Sequence, residues 1–163
     1  MTNAAPGAAR SEDAMELIAV LNDARAEILD DASKAVLRSH LGRYKTVGAE
    51  ELRSRLEALF DIVLGCLRSR NLDQVVKYAE YLGRDRFTSG FGIGEVQTAF
   101  NVLEESMWHH VVAGVPTHEL VESLGLLSTV LGAGKDALAR TYVSLASHEH
   151  VPSLDLRALF EGT

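Results

Sequence analysis

Apolar residues recur at spacings of three and four along most of the chain, which is the period of an amphipathic helix. From Ser11 onward the series is Leu17, Leu21, Ala24, Ile28, Ala32 and Ala35. Ser11 reads as an N-cap, with Glu12 and Asp13 favoured by the helix dipole in the first turn. The pattern to Leu41 leaves open whether this is one long helix or two. After a connector from Gly42 to Gly48, a second pattern from about Ala49 to Ser69 places Leu52, Leu56, Leu59, Val63 and Leu67 on one face. Asn71 is a stop or a fresh cap, and Leu72, Val75, Ala79 and Leu82 give the inward face of a third pattern. A fourth runs from about Glu95 to Val112 through Val96, Phe100, Leu103, Met107 and Val111. Val115-Pro116-Thr117 separates it from a fifth, capped by Thr117 and running from His118 to about Ser147. Its series is Leu120, Leu124, Leu127, Leu131, Gly134, Leu138 and Leu145, close to a heptad register.

No credible strand or internal repeat interrupts these patterns, so the expected architecture is an all-α, single-domain helical bundle of about five to six helices. The expected organisation is a disordered lead over residues 1–11, a helical domain over 12–147 and an amphipathic extension over 148–163. With 163 residues, one core of useful size can form. The three prolines, Pro6, Pro116 and Pro152, leave long helices uninterrupted.

Charge narrows the function. The formal net charge is −7, and the largest basic cluster is Arg38, Arg43 and Lys45, too little for a face that tracks phosphates. No nucleic-acid partner is expected. No run of about 18 apolar residues is present, so no membrane span is expected and the chain reads as cytoplasmic. Cys66, the single cysteine, sits in the apolar run Ile62 to Leu67 and reads as a buried structural thiol.

The search for reaction chemistry returns little. The sequence holds no G-x-S-x-G, H-E-x-x-H or P-loop. Gly90-Phe91-Gly92-Ile93-Gly94 has the glycine density of a phosphate loop, but a helical pattern precedes it where that loop needs a strand, so it reads as a C-cap and tight turn. His109 and His110 are adjacent and diverge by about 100° on a helix, which disfavours a shared metal. His109, beside Met107 and Trp108, could offer one axial imidazole to haem; a helix-surface histidine is the plainer reading. Neither a catalytic residue nor a metal is assigned, and no cofactor is expected.

His40 supports an alternative. Arg38-Ser39-His40-Leu41-Gly42-Arg43, followed by Gly48-Ala49, resembles histidine phosphotransfer domains, in which His40 would be the phosphoacceptor. Tyr44 stands where that family places glycine, and the interval to Gly48-Ala49 is short. On the last helix, Gly125, Ser128 and Gly132 form a small-residue ridge. Packing within the subunit is its plainest use; a dimer contact or a ligand space is the other.

The segment Leu82-Gly83-Arg84-Asp85-Arg86-Phe87-Thr88-Ser89-Gly90-Phe91-Gly92-Ile93-Gly94-Glu95-Val96, continuing to Phe100, Leu103 and Trp108, resembles the RsbRD N-terminal sensor-domain family. Gly94 departs from the polar cap expected before Glu95. The resemblance implies a globin-like or bundle-like input domain of bacterial stress regulators and histidine kinases, usually dimeric, without haem and without catalysis. On this reading Arg86, Phe87, Phe91, Trp108 and His109 are candidates for ligand or partner binding, and Gly125, Ser128 and Gly132 for the dimer face. The expected partners are a second copy of the chain and a signalling protein or fused output domain.

Overall fold

The computed structural model describes residues 6–39 and 48–150, with side chains described from Ala14 to His148. Among them are six helices and no strands: α1 (Pro6–Asp23), α2 (Arg25–Arg38), α3 (Ala49–Ser69), α4 (Asp73–Thr88), α5 (Ile93–Gly114) and α6 (Leu120–His150). The chain is an all-α helical bundle. The N-terminal pattern resolves into two helices that break at Ala24, where the backbone leaves the helical region while Ala24 and Ile28 keep their hydrogen bonds to Val20 and Ala24. No proline or glycine marks that break. α1 starts at Pro6, ahead of the expected cap at Ser11 and inside the expected disordered lead. Proline suits a first helical turn because its missing N–H would have no partner there.

Side-chain contacts fix the packing directions. Gly134 lies against Phe100, Lys135 bonds Asn101 and Glu104, and Tyr142 bonds Phe91, so α6 runs antiparallel to α5. Gly134 lies against Val75, Gly83 against Thr141 and Phe87 against Tyr142, so α6 runs parallel to α4. On the other side of α5, Val20 meets Gly114 and the Ser106 hydroxyl donates to the Ile28 carbonyl at 3.0 Å. Arg25 pairs with Asp61 and Arg53 with Asp30, which sets α2 antiparallel to α3.

The inward series of the sequence are the core. Leu52, Leu56, Leu59, Val63 and Leu67 of α3 are buried, as are Val96, Phe100, Leu103, Met107 and Val111 of α5. Leu127, Leu131 and Leu138 of α6 join them. Leu72 differs: it is exposed at the N-cap ahead of α4, where the Asp73 N–H donates to the Asn71 side-chain oxygen at 2.7 Å. Cys66 is buried, and burial pushes its thiol pKa up. The last helix begins at Leu120 rather than His118, with Glu119 and Leu120 closing turns onto Pro116 and Thr117. No described helix is long and apolar enough to cross a membrane.

Candidate functional site

The best-defined feature is the corner between α4 and α5. Gly90 has φ 78°, a conformation glycine takes without strain. The Phe91 N–H donates to the Arg86 carbonyl at 2.9 Å and the Gly90 N–H to the Phe87 carbonyl at 3.0 Å. These two bonds are a Schellman motif, which satisfies carbonyls that α4 would otherwise leave unpaired. In place of the usual apolar contact across such an end, the Arg86 guanidinium lies over the Phe91 ring, 5.3 Å from its centre. α5 then opens on Gly92, whose N–H donates to the Glu95 carboxylate at 2.7 Å. Gly92 has no side chain, so this is half of a capping box; it also explains how the helix starts without a polar residue at Gly94.

α6 holds the corner in place. The Tyr142 hydroxyl donates to the Phe91 carbonyl at 3.0 Å, and its ring meets Phe87 edge to face at 5.5 Å. Arg86, Phe87 and Phe91 therefore form one cluster with Tyr142. Tyr142 had a signal in the sequence, since it follows Leu138 by four residues on the buried face.

Trp108 and His109 do not join this cluster. Trp108 lies about 22 Å further along α5 than Ile93, at about 1.5 Å per residue. It is 41% exposed. The His109 side chain is largely exposed, 3.9 Å from Glu105. His110 is the more enclosed, with Glu27 and Asp31 of α2 each 4.0 Å from a ring nitrogen. Among the described residues no group of three or more His, Cys, Asp and Glu could hold a metal. His40 lies outside the described residues, together with Tyr44 and the connector to Val47.

Among the described residues the glycines of the α6 ridge are not used for packing. A Cβ placed on Gly125 or Gly132 would meet nothing within 4 Å. The glycine that admits a neighbour is Gly134, where a Cβ would stand 2.8 Å from Phe100 and 2.9 Å from Val75. Residues 132 and 134 lie about 200° apart on a helix, so one faces out where the other faces in. The Lys135 bonds to Asn101 and Glu104 tie the outer edges of α6 and α5 together. Asn101, Trp108 and Val112 share that edge of α5, and Ser128, Gly132 and Lys135 that edge of α6. Val112, Val121 and Val143 are exposed on the two helices, Val121 at 84%.

A small cleft lies between α3, α4 and α5, with a volume of about 30 Å³. Leu52, Leu56 and Leu59 of α3, Leu82 of α4 and Phe100 of α5 give it apolar walls. Two cations, Arg55 and Arg86, also line it. Arg55 pairs with Glu51 one turn back, and the Arg86 Nη2 stands 2.9 Å from an Asp85 carboxylate oxygen. The Arg86 side chain is only 14% exposed, and its buried Nε–H has no acceptor among the described residues. The pattern of the sequence places Arg55 one position off the buried face of α3, but the cleft itself joins three helices and has no local signature.

The family model for the RsbT co-antagonist protein RsbRD N-terminal domain matches residues 26–149. The chain belongs to that family, and the match points to a stressosome-type signalling domain. No curated protein and no solved structure matches the chain.

Proposed function

We infer that the chain is a non-enzymatic input domain of a bacterial stress-signalling pathway, acting in the cytoplasm. A small ligand or a protein partner engages the corner at Arg86, Phe87 and Phe91. The response travels through α5 and α6 to a second copy of the chain packed on their outer edge. Trp108 and His109 lie on the outer side of α5 and are read as partner contacts rather than as part of the corner.

The observation that carries this reading is the outer edge of α5 and α6. Gly125 and Gly132 have open space where a side chain would stand, and Val112, Val121 and Trp108 are exposed on the same two helices. Glycines inside a helix cost about 1 kcal/mol each relative to alanine, and nothing among the described residues offsets that. Close approach of a partner helix does. The corner is joined to the same helix by the Tyr142 bond to Phe91, so a change at Arg86 reaches α6 directly.

Light scattering on the full chain tests it. The expected mass is twice the 17.7 kDa of one chain. Gly132→Leu should give the single mass with helical circular dichroism unchanged. A wild-type chain that remains monomeric at high micromolar concentration refutes the relay.

A further inference from the structure

The cleft between α3, α4 and α5 has two chemically distinct halves. We propose that it is a binding site for a short-chain monocarboxylate, with the carboxylate on Arg86 and Arg55 and the aliphatic end among Leu52, Leu56, Leu59 and Phe100. This rests on the reading of the Arg86 corner as the place where the domain receives its signal, and names the ligand class.

Three observations converge on it. The first is the buried Nε–H of Arg86, which has no acceptor. A buried donor left unpaired is costly, and one on a cation more so, which makes an anionic oxygen the favoured partner. The guanidinium is already placed: Phe91 covers one face and Nη2 stands 2.9 Å from an Asp85 carboxylate oxygen, so the Nε–H is held in position rather than searching among rotamers. The second is the company Arg86 keeps. Arg55 stands across the cleft from it on α3, a second cation, while Leu52, Leu56 and Leu59 make the rest of that wall apolar. A carboxylate carrying an aliphatic end suits both the cations and the leucines.

The third is size. A volume of about 30 Å³ gives two or three water-sized positions, at roughly 10–15 Å³ each. That is about the size of the carboxylate group, so the leucine side chains must part to take the carbons of a short acid. It is far below the roughly 300 Å³ or more of a site for a drug-sized ligand. Nucleotides, haem and long-chain lipids do not fit. Occupation would also bridge α3 to the end of α4, because Arg55 and Arg86 stand on those two helices. A ligand there couples directly to the α4–α5 corner.

Sodium butyrate is the probe, with sodium chloride at the same ionic strength and butyramide as controls, on the full chain. Butyrate at about ten times its Kd should raise the melting midpoint by about 3–5 °C. Neither control should do so, and Arg86→Gln and Ala99→Leu should each lose the rise. Ala99→Leu removes the space rather than the charge, since Ala99 lines the cleft. Arg55→Gln, on the more exposed of the two cations, repeats the charge test if Arg86→Gln does not fold. The proposal is overturned if butyrate gives no rise, if butyramide matches it, or if the rise survives in the charge variant and in Ala99→Leu. Light scattering run alongside separates the two readings. A dimer that ignores butyrate removes the site and leaves the relay; a monomer that binds butyrate leaves the site and removes the relay.

Discussion

The two sides of α6 are built from similar residues and put to opposite uses. On the inner side Gly134 lets Phe100 and Val75 come to within a methyl group's reach of the backbone. Gly83 of α4 does the same for Thr141. On the outer side Gly125 and Gly132 have nothing near them. A glycine in a helix is therefore informative only with its face. The inner one shows how close two helices of the subunit stand, while the outer ones carry a propensity cost that the subunit alone does not explain. The α4–α5 corner belongs with the inner side, because Tyr142 fastens it there through Phe91 and Phe87.

The largest expected effect separates the two sides outright. Gly134→Val puts a branched side chain into two buried neighbours that have nowhere to move, since Phe100 and Val75 are both fully buried. Overpacking of this kind should destabilise by about 3 kcal/mol, lowering the melting midpoint by about 10 °C. A midpoint within 2 °C of wild type, by about the same conversion, would show that α4, α5 and α6 are not packed this tightly.

A smaller loss is expected at the corner. Gly90→Val forces a β-branched residue to φ 78° and should cost about 1–3 kcal/mol through backbone strain. Arg86→Ala should instead leave the α4 cap intact, because its bonds are made by backbone carbonyls. Chemical denaturation of the two variants side by side checks this: an unchanged midpoint for Gly90→Val would show that the Schellman turn is not formed.

How much of this was legible in the sequence follows from which contacts are periodic. The inward faces of α3 and α5 are, and every position assigned to them is buried. The corner was legible because Gly90-Phe91 is a local signature whose two hydrogen bonds span five residues. The break at Ala24 was not, since it carries no glycine or proline and α1 and α2 stay bonded across it. The difference among the α6 glycines was legible: Gly134 falls in the inward series with Leu131 and Leu138, while Gly125 and Gly132 fall outside it. The place of Trp108 was not: the sequence groups it with the corner, yet it stands several turns along α5, apart from Arg86. The cleft escaped for a related reason: its two arginines come from helices that no local pattern brings together.

The smallest effect bears most directly on the outer side. Gly125→Ala and Gly132→Ala each add a methyl group that meets nothing among the described residues. In an isolated chain each should stabilise by about 1 kcal/mol, from helix propensity and the reduced freedom of the unfolded chain. If a second copy packs on this edge, the added methyls stand between the two backbones and weaken that contact. The two contributions are separable because only association depends on concentration. The double variant should therefore melt higher than wild type at low protein concentration, where both are monomeric. Its advantage should shrink or reverse as the concentration rises and wild type pairs. A gain that stays constant over a hundredfold range of concentration, the window in which a dimer's midpoint must move by roughly RT ln 100 of free energy, would mean that nothing packs on the ridge. The glycines would then be a cost that α6 carries without return, and the relay would need another face.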